Sequence, residues 1–378
     1  MGRKYNIIYF GLLLILFNCN QQVNKENDTV TFTVGPENFR ERERIYFSHL
    51  FDSIKYIILD NSDDCLIGNI DKILFHDHIF YVLDRKQHTL LVFSETGQFL
   101  WKINKRGNGP GEYRSLQDFD INQNKLYLFD PRSKVLEYDL NGMFVKSYSE
   151  KTYGNSILVD NERFYISTCN NTSKFGDYSL LIMDDYGKTF KNGIPITQKN
   201  LINACVTFQQ SLNFCRYKDT IRFYTPLVAK VFSIVEDDIS VQYNFDFKHK
   251  KIPENYFNEN TYEDLKESSY AYGLNSYWEN DSFFSFNMYA INENGWDILY
   301  SKKDNKLTCG GLYDDIAYCF PVIQVANNDF LIGFRTMDQL HREYEYAPEK
   351  RKNTIVEKIV KNTDEEDNPV IFICYFKQ

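Results

Sequence analysis

Short apolar runs, most of them four to eight residues long, recur along the whole chain and are separated by polar breaks. "IFYVLD" (79–84) leads to "HTLLVFSETGQFLWKI" (88–103), and "LYLFD" (126–130) leads to "KVLEYDLNGMFVKSY" (134–148). Each reads as a strand, a break, a second strand, a tight turn and a third strand. The turns are Glu95-Thr96-Gly97 and Leu140-Asn141-Gly142, where glycine supplies the positive φ that a two-residue hairpin requires. The pattern returns at "RFYIST" (163–168), "IRFYTP" (221–226), "FFSFNM" (283–288) and "FLIGFR" (330–335). The six runs begin at 79, 126, 163, 221, 283 and 330, a spacing of about 50 residues.

Six sheet units at this period predict an all-β, six-bladed β-propeller, because one blade cannot bury both faces of its sheet alone. "VTFTV" (30–34) and "IKYIIL" (54–59) precede the first full unit, while the last unit ends in a single strand. An N-terminal strand joining the C-terminal blade then closes the ring and removes its sheet edges. The expected organisation is one propeller domain over 29–378 with inserts at 249–280 and 337–367. The rival architecture is a pair of stacked β-sandwiches. Helices are expected only near 259–272 and 338–362, the latter broken near Pro348.

Composition strengthens the β reading. Aromatic residues make up 16% of the chain, with 28 Tyr and 31 Phe, against seven Ala. The net charge of -9 comes without a basic patch, so a nucleic-acid partner is not expected. Acidity of this size serves solubility and identifies no ligand.

The N-terminus carries different information. Arg3 and Lys4 precede an apolar stretch from Ile7 to Phe17, too short for a membrane span of about 20 residues. That is the pattern of a secretory signal. "LFNC" (16–19) resembles the lipobox of bacterial lipoproteins, with Asn18 where a smaller residue is commoner. The resemblance implies a signal peptide over 1–18, a lipid on Cys19 and a flexible tether over 19–28. An ordinary cleaved signal with an incidental cysteine is the alternative.

"RGNGPGEYRSLQDF" (106–119) is the densest glycine segment. A phosphate cradle needs consecutive N–H groups at a helix start, yet Pro110 has none, no Gly-Lys-Ser/Thr follows, and "LQDFDI" continues as a strand. The segment therefore reads as a corner between blades. Arg106, Glu112, Tyr113 and Arg114 either brace that corner or face a ligand. "RGNGPGEY" also resembles the G-x-G-P-G-E-[FY] signature of six-bladed β-propeller lipoproteins common in Bacteroidetes, relatives of NHL-repeat propellers. "IKYIILDNS" (54–62), "GGLYDDI" (310–316) and "DNPVIFICYFK" (367–377) are further matching elements. The resemblance implies an exported, lipid-anchored propeller in the cell envelope, facing periplasm or surface, with the membrane as one partner; a monomer is expected. It implies no defined activity.

Other candidate chemistry is thin. Asp184/Asp185 and Asp237/Asp238 fall in hairpin turns, and Asp314/Asp315 lies between strands, where neighbours point to opposite faces. His76 and His78 form at best half of a metal site; a turn before a strand is the plainer reading. Seven cysteines remain beyond Cys19, and Cys205/Cys215 and Cys309/Cys319 share a ten-residue spacing. Their choice is between disulfides and buried thiols. The aromatic insert, with Tyr272 and Trp278, is either a sugar-stacking platform or packing on the propeller end. No catalytic motif, metal site or cofactor is expected. The function that follows is binding of a glycan, peptide or protein ligand; the alternative is a lyase or lactonase-like hydrolase at the channel mouth.

Overall fold

A computed structural model describes residues 23–26, 29–39, 42–131, 134–149, 154–168, 177–184, 189–196, 212–290, 295–346 and 354–377. Cys19, Cys169, Cys205 and Asp185 lie outside these residues. Six sheets, each built on a four-stranded antiparallel blade, form a ring, the predicted six-bladed β-propeller. From the axis outward, the first blade is Lys72–His76, Ile79–Asp84, Thr89–Ser94 and Phe99–Ile103. The second is Asp118–Asn122, Lys125–Asp130, Lys134–Asp139 and Phe144–Ser149. The third is Ser156–Asp160, Arg163–Ser167, Leu180–Met183 and Thr189–Asn192. The fourth is Phe214–Tyr217, Thr220–Tyr224, Lys230–Val235 and Asp238–Asp246. The fifth is Tyr272–Glu279, Phe283–Tyr289, Gly295–Ser301 and Lys306–Tyr313. The sixth is Val322–Ala326, Phe330–Arg335, Val370–Phe376 and Phe51–Ile58.

The second and third strands of each blade are the apolar runs of the sequence. They are buried on both faces because each blade is sandwiched between two others. Tyr81, Leu83, Leu90 and Val92 of the first blade, for example, share one core with Phe119, Leu126, Leu128 and Leu136 of the second.

The N-terminal chain runs along the outer rim before entering the ring. Thr29–Thr33 lies parallel to Asp238–Asp246 on the fourth blade, and Glu43–Tyr46 lies parallel to Lys306–Tyr313 on the fifth. Phe51–Ile58 then pairs antiparallel with Val370–Phe376, in the register Ile57 to Ile371, and closes the sixth. Closure thus belongs to the strand at 54–59, while the run at 30–34 covers another blade's edge.

Three expectations require correction. The repeat unit has four strands, not three. The innermost strands escaped the apolar reading because they carry channel-facing polar residues such as Lys72, Asp118, Asp120 and Arg216. For the same reason the insert begun at 249 ends before 272, and Tyr272–Glu279 is the innermost strand of the fifth blade. Finally, Gly97 and Gly142 do take positive φ (89° and 78°), but their turns are wider than two residues. The Gly97 N–H donates to Ser94 O, the Ser94 N–H donates to Gln98 O, and a bulge shifts the register beside it. Two-residue turns with two positive φ values are Asp77–His78, Gln123–Asn124 and Asn161–Glu162, which join innermost to second strands, and Glu236–Asp237, which joins the third and outermost strands of the fourth blade.

Because successive strands alternate in direction, blade-to-blade connections and second-to-third-strand loops emerge at the same end of the ring. The glycine corner, the segment 247–271 and the insert 336–369 all lie at that end. Within 247–271, Tyr262–Glu267 is helical, started by a reciprocal Thr261–Asp264 capping box. In the last insert, helices Met337–Glu345 and Ile355–Val360 pack Met337, Leu340, Val356 and Ile359 onto Val370 and Phe372 of the sixth blade. No helix among the described residues is long and apolar enough to cross a membrane.

Candidate functional site

The glycine corner is braced by its own side chains. Glu112 accepts a hydrogen bond from the Gly109 N–H at 2.8 Å, and its carboxylate lies so close to Gly107 that a Cβ there would meet Oε2 at 2.0 Å. Gly111 has φ +72°, and a Cβ on it would meet the Phe144 ring at 2.9 Å. Tyr113 has no exposed surface. Its hydroxyl donates to His88 O (2.7 Å), with Ile103 O also close at 3.1 Å, and burial pushes its pKa up to about 12. Arg114 is exposed and donates to Asn108 Oδ1 at 2.7 Å; Arg106 is exposed beside it and pairs with Tyr113 only through the backbone. These four residues cluster at one corner, and three of them hold it together.

The axis of the ring holds a cavity of ≈ 290 Å³ to whose wall all six blades contribute. Two carboxylates from the second blade organise it. Asp118 and Asp120 sit two residues apart on one face of their strand, roughly 7 Å along it. Asp118 accepts from Lys72 Nζ of the first blade (2.9 Å) and from the Ile157 N–H of the third (2.7 Å). Asp120 accepts from both terminal nitrogens of Arg216 of the fourth blade (3.0 and 2.7 Å) and from the Val159 N–H (2.6 Å). Lys72 Nζ also reaches Phe119 O (2.6 Å), and Arg216 reaches Val159 O (2.7 Å). The side chains of Lys72, Asp118 and Asp120 are nearly or fully buried, so each charge depends on these partners.

The rest of the wall is mixed. Gln324 Oε1 accepts from the Ile73 N–H (3.2 Å), and Asn213 Oδ1 accepts from Ser156 Oγ (3.1 Å). Asn327 Oδ1 accepts from the N–H groups of Asp329 and Phe330, both at 2.8 Å. In the fifth blade two register shifts distort the innermost strand, and Ser276 is left with φ +51°. A bulge re-aims side chains, and here Ser276, Tyr277 and Trp278 all line the cavity, although strict alternation would turn the middle one away. The Trp278 indole N–H is buried and finds no acceptor among the described residues.

Tyr272 sits elsewhere. It is buried and lines a second cleft of ≈ 570 Å³ between the fourth-blade loop 226–230 and residues 251–254, stacked at 5.5 Å on Tyr289. The sequence-based candidates therefore divide among three places: Arg106, Glu112, Tyr113 and Arg114 at the corner, Trp278 at the axis and Tyr272 in the cleft. The axial residues Lys72, Asp118, Asp120, Arg216 and Gln324 went unread in the sequence. Polar residues interrupting short apolar runs at the start of each unit were the available signal.

The remaining polar candidates have structural partners. His78 lies in a turn with φ +63° and contacts Glu95 at 2.7 Å, while His76 approaches Asn124 at 3.3 Å. Asp314 accepts from the N–H groups of Ile316, Ala317 and Cys319, and Asp315 from the Ser48 N–H. Cys65, Cys215, Cys309, Cys319 and Cys374 are free buried thiols, so Cys309 and Cys319 are not bridged. No group of three potential metal ligands occurs among the described residues.

A family profile described as "Domain of unknown function (DUF4934)" matches residues 29–375, and the chain belongs to this family. No curated protein sequence matches it significantly. Among solved structures, an assumed exported protein of Bacteroides fragilis NCTC 9343 superposes with a TM-score of 0.70 at 17% identity, covering 89% of this chain and 100% of that one. It shares the propeller fold. A member of the DUF4221 family from Bacteroides vulgatus superposes with a TM-score of 0.49 at 10% identity, covering 87% and 98%. Virginiamycin B lyase from Staphylococcus aureus does so at 0.44 and 11%, covering 74% and 81%.

Proposed function

We propose that this member of the DUF4934 family is an exported binding module that holds a small polar ligand, or the polar end of a larger one, in the cavity on its axis. One observation carries the reading: six blades converge on a cavity where buried Lys72, Asp118, Asp120 and Asn213 and the more exposed Arg216 are fixed by hydrogen bonds across blades. Its ≈ 290 Å³ falls just below the roughly 300–1,000 Å³ of small-molecule sites, which suits a small ligand. Fixed polar groups in a partly apolar wall give orientation and specificity, whereas a folded partner needs a broad surface.

The leader-like stretch from Arg3 to Phe17, followed by Cys19, supports export and a lipid anchor in the cell envelope. The Bacteroides fragilis neighbour, named as an assumed exported protein, agrees with that reading. Two experiments test the proposal. Full-length protein expressed in a Gram-negative host fractionates with membranes, and Cys19→Ala moves it to the soluble fraction; an unchanged distribution of the variant removes the anchor. Thermal-shift and calorimetric titration against sugars, amino acids and small acids finds a binder that Leu74→Trp, which fills the cavity from the first blade, excludes. A binder retained by a folded Leu74→Trp protein places the site elsewhere.

A further inference from the structure

The hydrogen-bonding capacity left at the axial cavity is lopsided. Each carboxylate or amide oxygen of Asp118, Asp120, Asn213, Gln324 and Asn327 on its wall belongs to a group already engaged by a cation, a hydroxyl or a backbone N–H. The donors are not used up. Lys72 has three N–H groups and bonds two oxygens. Arg216 has five and bonds Asp120 and Val159 O through three of them, leaving the Nε–H and one N–H of Nη1. The half-buried Gln324 and the exposed Asn327 use only their amide oxygens within the protein, and the buried Trp278 Nε1–H has no acceptor among the described residues. Lys and Arg side chains donate only, and the spare N–H groups of Lys72, Arg216 and Gln324 stand open to an acceptor bound in the cavity.

From this asymmetry we infer that the ligand is a small carboxylate, a sugar acid or an acid of similar size, whose oxygens fill the unused donors. This inference rests on the axial-site reading above. Two of the donors are cationic heads held on Asp118 and Asp120, and hydrogen bonds from ionised donors to a carboxylate are the stronger kind. Those aspartates cannot turn away to solvate themselves, because each is also tied to a third-blade N–H. The cations stay positioned whether or not a ligand is present, which keeps the ordering cost of binding low. Ser156 and Ser276 can serve the hydroxyls of a sugar acid, since a hydroxyl both donates and accepts.

The experiment is a calorimetric titration of the mature protein with matched pairs: glucuronate against glucose, galacturonate against galactose, and lactate against propanediol. The acid of at least one pair binds about tenfold or more tightly than its neutral partner. Gln324→Glu keeps the oxygen that Ile73 needs but replaces the donor with a negative oxygen, and it weakens the acid about tenfold or more while the melting temperature holds. Trp278→Phe, which removes the N–H together with part of the ring, weakens it by a smaller factor. Equal or tighter binding of the neutral partners, still excluded by Leu74→Trp, overturns the carboxylate class and leaves the axial site standing. Acid binding that survives both Gln324→Glu and Leu74→Trp overturns the axial site itself.

Discussion

Two buried ionic clusters in this propeller use the same residue types and reach different ends. Between the fourth and fifth blades, Glu279 is fully buried and its oxygens are saturated. Oε2 accepts from Arg222 Nε (2.6 Å) and the Tyr277 hydroxyl (2.8 Å), and Oε1 accepts from the Tyr243 hydroxyl and Lys302 Nζ, both at 2.8 Å. Arg222 continues to Ser233 Oγ, and Lys302 to Asn280 O. The cluster is closed and rivets two blades. At the axis every oxygen of Asp118 and Asp120 also has a partner, but Lys72, Arg216 and Gln324 face a cavity with donors in hand. A buried charge by itself therefore says nothing of function. What separates a rivet from a site is whether the hydrogen-bond inventory closes without a ligand.

The largest effect that sharpens this contrast is Glu279→Ala. It leaves Arg222 and Lys302 without their carboxylate and costs about 3–5 kcal/mol in chemical denaturation, with ligand affinity of the folded protein unchanged. A loss below about 1 kcal/mol breaks the contrast, since the cluster is then no rivet.

A pH series sharpens the same point. Burial alone raises the Glu279 carboxyl, but Arg222 and Lys302 outweigh it and hold the group below its ordinary value of 4.5. A carboxyl depressed on folding stabilises the native state above the unfolded value and loses that contribution as the pH falls through the folded one. The stability gap between wild type and Glu279→Gln accordingly narrows as the pH drops below 4.5; a gap that widens contradicts the assignment.

The glycine corner offers a third, still smaller perturbation. Gly111→Ala places a side chain at φ +72° against Phe144 and destabilises by about 1–3 kcal/mol, with axial binding intact. Loss of binding in the folded variant would move function to the corner. Smallest of all, Arg114→Ala removes one exposed bond to Asn108 and shifts stability by at most about 0.5 kcal/mol, again without touching the cavity.

Local chemistry already determined much of this protein. Apolar runs separated by Gly and Asn turns set the strands, their spacing set the number of blades, and Pro110 within the glycine segment excluded a phosphate loop. These features are legible because turn geometry and strand burial are decided by residues a few positions apart. The identity of the closing strand, the four-stranded blade and the site were settled only by the ring. "DFDIN" looks like a weak strand with two misplaced charges until closure brings Lys72, Ile157, Val159 and Arg216 to Asp118 and Asp120. Trp278 stood out in the sequence as an aromatic candidate, yet two bulges in its strand brought it to the axis rather than to a surface platform. Partners from three other blades, 39 to 96 residues away along the chain, leave no local pattern to read, because the free energy that places them there belongs to the closed circle and not to any one segment.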